Sequence, residues 1–162
     1  MIPLLLLLAT GSITVPEIHD LVNAGHAEAA LPRAESAALA DPGDRPIQKA
    51  FALVLRNTGA LDSANAVYDR LLAADSSDDD TRLGKAIVLS WQGRFDASLA
   101  LYAEIKPESE SYFEAVVGKG RVAGWAGRYR EALRHLAEAE SLVPGNREVM
   151  ERRAQVLSLI HI

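Results

Sequence analysis

The chain has 162 residues, 49% of them apolar and 24% charged, which fits one folded unit rather than two. Its net charge of -5 argues against a general affinity for nucleic acid, because such binding depends on Lys and Arg neutralising phosphates. With no cysteine there are no disulfides, thiolate metal sites or cysteine nucleophiles, and thiol usage carries no information about the compartment.

At the start of the chain, Met1-Ile2-Pro3 leads into the apolar run Leu4 to Leu8 and then into Ala9-Thr10-Gly11-Ser12. The pattern is similar to the tail of a secretory signal peptide without its basic front, so residues 1–10 are expected to be a truncated signal segment. The alternative is an apolar segment packed on the first helix. The run is far short of the roughly 20 residues a transmembrane helix needs, and no direct membrane insertion is expected from this chain.

Beyond it the sequence repeats. Gly25, Gly59, Gly93 and Gly127 follow one another at one constant interval, and each is followed five positions later by a small side chain, Ala30, Ala64, Ser98 or Ala132. The last two segments agree further, through Gly84 and Gly118, Lys85 and Lys119, Val88 and Val122, Trp91 and Trp125, Arg94 and Arg128, Leu99 and Leu133, and Ala103 and Ala137. A fixed period of this size is the mark of a repeat architecture. Each glycine lies between two segments of helical periodicity, where it supplies the positive φ of a tight helix-helix turn, and the small residue lets the two helices approach. Phe95, Tyr129 and Leu61 anchor the starts of second helices, and Tyr68, Leu71, Leu72, Tyr102 and Leu136 continue the buried stripe.

The 34-residue period, the turn glycine and the small residue after it resemble the tetratricopeptide repeat (TPR) over roughly residues 11–158. The resemblance implies an all-α fold, an α-α superhelix of about four helix-turn-helix repeats plus one extra helix. The repeats run over 11–44, 45–78, 79–112 and 113–146, with a partial one over 147–158. Asp41-Pro42 and Val143-Pro144 fall where the family has its closing proline. Pro107 comes early, so the second helix of the third repeat is expected to end short. The acidic run Asp75 to Asp80 is expected to cap a helix beginning near Asp80 or Thr81, since it lacks the Gly and Glu of a calcium loop.

No catalytic constellation emerges, and the chain is expected not to be an enzyme. Gly84-Lys85 and Gly118-Lys119 lack the preceding glycine and following Ser or Thr of a phosphate-binding loop. His19, His26, His135 and His161 show no metal-ligand spacing and are expected to be solvated; no metal and no cofactor is expected. No Gly-x-Ser-x-Gly elbow is present.

The resemblance places function on the concave face lined by the first helix of each repeat, where a peptide or partner helix lies. The family's groove positions fall on Lys49, Leu53, Arg56 and Asn57 in the second repeat, on Leu83, Ile87, Ser90 and Trp91 in the third, and on Val117, Arg121, Gly124 and Trp125 in the fourth. Trp91 and Trp125 stand open to two readings, groove anchors or repeat-to-repeat packing. The set of Lys, Asn and Arg with which some family members grip a terminal carboxylate is not met, since Leu83, Ile87 and Val117 stand where it needs polar side chains.

A Val-rich first helix followed by Trp-x-Gly-Arg and Phe or Tyr resembles the TPR regions of secreted bacterial envelope proteins. With the signal-like start, this leads to the expectation of a periplasmic or secreted scaffold that binds a protein or peptide partner in envelope assembly or export. The alternatives are the recognition arm of a larger enzyme or outer-membrane barrel protein, and a cytoplasmic adaptor or co-chaperone. At the other end the register fails after Ser158. Residues 159–162 are expected to be a non-native tail on a gene fragment, because Leu157 to Ile162 also match one reading frame of a common transposon-derived sequencing adapter. An uncapped apolar end of this kind would permit self-association.

Overall fold

The computed structural model describes residues 13–160; the signal-like stretch 1–10 and the last two residues of the expected tail, 161–162, lie outside the described residues. Among the described residues all regular structure is helical: α1 (Val15–Asn23), α2 (Ala27–Ala40), α3 (Arg45–Asn57), α4 (Leu61–Ala74), α5 (Asp79–Trp91), α6 (Phe95–Ala103), α7 (Tyr112–Trp125), α8 (Tyr129–Leu142) and α9 (Arg147–Ile160). The architecture is all-α, a succession of helix pairs. None of these helices is long and apolar enough to cross a membrane.

The turns within the pairs are built alike. Gly25, Gly59, Gly93 and Gly127 have φ of 78°, 83°, 75° and 73°. The residue after each glycine donates its N–H to the carbonyl five positions back, His26 to Leu21, Ala60 to Leu55, Arg94 to Leu89 and Arg128 to Ala123. This is the six-to-one bond of a Schellman cap, whose left-handed residue is strained for anything with a Cβ. The spacing of glycine is therefore the spacing of helix ends.

Helix starts follow a second register with the same period, carried by Asp44, Asp78 and Asn146. Their side-chain oxygens accept from the N–H of Ile47 at 3.0 Å, Thr81 at 3.0 Å and Val149 at 3.1 Å. Each such cap contributes about 1 kcal/mol. Asp78 starts α5 slightly ahead of the position implied by sequence, while Asp75 holds the N–H of Ser77 at 3.0 Å. The same register reaches Tyr112, which offers no such acceptor, and α7 begins there behind Ser111, an N-cap that makes no side-chain cap bond. Just before it, α6 stops after 9 residues, against 14 in α4 and α8, with Pro107 close behind.

Where length and composition lead to the expectation of one folded unit, the described residues divide into two compact units, the boundary falling inside α4 between Val67 and Tyr68. In the first, α1, α2 and α3 touch one another around Ile18, Ala30, Ala34, Ala50 and Val54. Buried Gln48 donates its amide to the Ala38 carbonyl at 2.7 Å, so its polar end is satisfied. In the second unit α7 touches α5, α6, α8 and α9. One core cluster joins Ala86, Tyr102, Ile105, Ala115 and Val122; another joins Val116, Val117, Ala132, Leu136, Val149 and Val156. The small residues after the turn glycines, Ala30, Ala64, Ser98 and Ala132, are all fully buried. Ser98 fits this set because its hydroxyl donates to the Ala86 carbonyl at 2.7 Å.

Gly84 and Gly118, inside helices, serve a different purpose. A Cβ on Gly84 would lie 2.6 Å from the ring of Tyr68, and one on Gly118 would lie 2.5 Å from the ring of Tyr102. Each tyrosine comes from the second helix of the preceding pair and is almost fully buried. Glycine in mid-helix costs roughly 1 kcal/mol against alanine, and overpacking costs about 1–3 kcal/mol, so the ring contact outweighs the propensity loss. Gly118→Ala is therefore expected to lower stability in the native background, and to become neutral or stabilising when combined with Tyr102→Leu. Denaturant midpoints of the four proteins test this; the same loss in both backgrounds would mean the glycine is not making room for the ring.

Candidate functional site

The first helices of the second unit, α5, α7 and α9, lie in succession, with α7 touching both of its neighbours. On α5, Leu83 and Ile87 are partly buried against the cluster of Ala86 and Tyr102, and Ser90 is buried with its hydroxyl on the Ile87 carbonyl at 2.6 Å. Trp91 closes the helix with 44% of its surface exposed, and Trp125 ends α7 with 51% exposed. Both rings stand at the surface rather than inside the repeat-to-repeat core. Val117 does not join them. It is 5% exposed and belongs to the core cluster of Val116 and Leu136, because α7 is packed by four helices and has little free face left. In the first unit, Lys49, Leu53 and Arg56 are partly buried along α3 and Asn57 is exposed, its amide turned back onto the Leu53 carbonyl at 2.8 Å.

Arg121 and Trp125 sit one helical turn apart, and the guanidinium carbon lies 5.3 Å from the centre of the indole. Beside them opens a cavity of about 350 Å³, lined by Arg121, Gly124 and Trp125 of α7, Leu136 of α8, and Arg152 and Gln155 of α9 among others. The family's groove positions, taken from the first helices of whole repeats, do not include α9. Its signal is nevertheless in the sequence, since Gln155 lies one repeat period after Arg121.

Several other charged groups are held by neighbours. Lys85 pairs with Asp69 of α4, and Lys119 lies over the Tyr112 ring at 5.7 Å, so each of these recurrent lysines has a neighbour that holds it. Arg152 reaches Glu148 at 2.7 Å, Arg147 reaches Glu151 at 2.7 Å, and Arg128 pairs with Asp96. Among the described residues no group of three or more His, Asp or Glu side chains is placed to hold a metal ion.

His135 departs from the expectation of a solvated histidine. Its side chain is 13% exposed, 3.7 Å from both Glu131 and Glu138, and its Nδ1 is buried without a hydrogen-bond partner. Glu138 instead accepts the Tyr112 hydroxyl at 2.8 Å, a bond that raises the phenol pKa. Burial, helped by Lys119 and Arg134, holds the imidazole pKa below its ordinary value, against the opposing pull of Glu138.

The sequence matches no protein-family model and no curated protein. Solved structures of helix-pair repeat proteins do match. A thermophilic TPR protein of Thermus thermophilus superposes with a TM-score of 0.77 at 18% identity, covering 88% of this chain and 79% of that one. PilF of Pseudomonas aeruginosa gives 0.74 at 19% identity over 91% of this chain and 67% of its own. YrrB, described as a TPR protein with an unusual peptide-binding site, gives 0.71 at 17% identity over 85% and 71%. The chain thus has the tetratricopeptide-repeat fold.

The depressed pKa of His135 carries a sign. As pH falls below about 6.5 the unfolded chain takes up the proton first, so stability is lost across the window between that value and the lower folded pKa. His135→Gln is expected to flatten the fall in denaturant midpoint between about pH 7 and pH 5. Parallel pH profiles for variant and native protein would show that the imidazole is not the group responsible.

Proposed function

We propose that this protein is an interaction scaffold that holds a peptide or partner helix against the first helices of its repeats, acting by binding rather than catalysis. The observation that carries the reading is the pair Trp91 and Trp125, which recur at the repeat interval on consecutive first helices with 44% and 51% of their surface exposed. Large aromatic rings dominate interface energies where they are buried by a partner. Leu83 and Ile87 extend the apolar strip along α5, and Arg121 adds a cation. Lys49, Leu53, Arg56 and Asn57 are assigned the same role on α3 of the first unit. The peptide-binding description of YrrB, a structural neighbour, supports a ligand of this kind.

The setting proposed is bacterial envelope assembly or export, with the protein in the periplasm. The signal-like residues 1–10 and the Trp-x-Gly-Arg motif at Trp91 and Trp125 support it.

Selection of binders from a displayed peptide library, followed by titration monitored through tryptophan emission, tests the scaffold. Trp91→Ala and Trp125→Ala are each expected to weaken selected binders by about 2 kcal/mol, roughly thirtyfold, with the fold unchanged by circular dichroism. Binders that hold equally well to both variants would place the interaction elsewhere. Fractionation of cells expressing the full-length gene tests the compartment, and retention in the cytoplasm would overturn the periplasmic setting.

A further inference from the structure

We propose that the cavity between α7, α8 and α9 is a subsite for an acidic-aromatic segment of the partner: an Asp or Glu side chain meets Arg121, and the adjacent aromatic ring enters the cavity beside Trp125. The assignment rests on the scaffold reading and names the chemistry of the partner.

Repeat symmetry supplies the aromatic half. At successive second helices the same register holds Tyr68, Tyr102 and Leu136, and the facing position on the next first helix holds Gly84, Gly118 and Arg152. In the first two cases a phenol ring closes down on the glycine. The third has neither ring nor glycine, and here the cavity of about 350 Å³ opens. Leu136 packs the other way, onto Gly120, where an added Cβ would lie 2.7 Å from the leucine Cγ. A pocket that stands open where its repeats are filled by an intramolecular tyrosine has the dimensions for an aromatic side chain brought by another molecule.

Charge supplies the acidic half. The chain carries 22 acidic and 17 basic side chains, yet the residues lining this cavity include two arginines and no carboxylate. Arg152 is neutralised by Glu148. Arg121 is not: among the described residues it has the Tyr102 hydroxyl at 3.4 Å and the Trp125 ring, and its Nε is buried without a partner. A partly buried guanidinium with no carboxylate in reach gains most from one, which accepts from its Nη groups. Trp125, stacked on the cation, forms the wall against which a bound ring lies.

The test uses a peptide of sequence Gly-Ser-Glu-Tyr-Ser-Gly, acetylated and amidated so that the only carboxylate is the glutamate side chain, titrated into the full chain by calorimetry. Replacing its Glu by Gln, or its Tyr by Ala, is expected to weaken binding at least tenfold. Arg121→Gln is expected to weaken the Glu peptide at least tenfold and to leave the Gln peptide unchanged, which separates a direct contact from a general loss of structure. Leu136→Tyr combined with Arg152→Gly rebuilds the Tyr102 and Gly118 pair and is expected to abolish binding while preserving the helical melting profile. Indifference to the Glu to Gln change, or to Arg121→Gln, overturns the proposal, as does binding only by a peptide with a free C-terminus. Library binders that depend on Trp91 and Trp125 while this peptide fails would overturn the subsite alone; failure of both would overturn the scaffold reading as well.

Discussion

The contact between a second-helix side chain and the next first helix sets how the helix pairs of the second unit stack. Tyr68 on Gly84 and Tyr102 on Gly118 bring ring against backbone at a separation no side chain with a Cβ tolerates. That approach leaves α7 touching four other helices, and seven of its fourteen residues are buried as a result. Glycine at these sites has nothing to do with turning the chain. It trades helix propensity for van der Waals contact over a whole aromatic face, and the trade is favourable because the ring is then almost entirely removed from water.

Two kinds of glycine therefore recur in one sequence, and they are not equally legible. Gly25, Gly59, Gly93 and Gly127 announce themselves because they separate two helical periods, so the pair boundaries follow from composition and spacing. Gly84 and Gly118 recur only once at that interval, and their meaning depends on a tyrosine of the preceding pair, on another helix. No periodicity within a single helix encodes that contact. Val117 shows the same limit. Counting positions along a first helix assigns it to the open face, which holds for a helix packed on one side and fails for one packed on four. The lysines at 85 and 119 become intelligible only with Asp69 and Tyr112 beside them.

Electrostatics separates architecture from recognition. Several cations have a carboxylate in reach, in pairs such as Arg128 with Asp96, Arg147 with Glu151 and Lys85 with Asp69. Exposed pairs of this type contribute less than about 1 kcal/mol each, so they do little to hold the fold. Their effect is to quench the cations they involve. Of the two arginines lining the cavity, Arg152 is paired with Glu148, while Arg121 is flanked by an indole and has no carboxylate in reach, so it is the one whose charge is left for a partner in a chain of net charge -5.

Recurrence and its failure play different parts in a repeat fold. Residues that repeat faithfully, the turn glycines and the small residues after them, answer to constraints each helix pair shares, and changing one disturbs a local junction. Trp91 and Trp125 also repeat, yet they remain about half exposed, which leaves ring area for the partner contacts proposed above. Leu136, Arg152 and Arg121 break the pattern together, around one cavity. A repeat protein that used only its recurrent residues would offer the same surface at every pair and select no register along a bound chain. Symmetry-breaking side chains gathered at one junction are what give such a surface a position, and hence a preference for one segment over another.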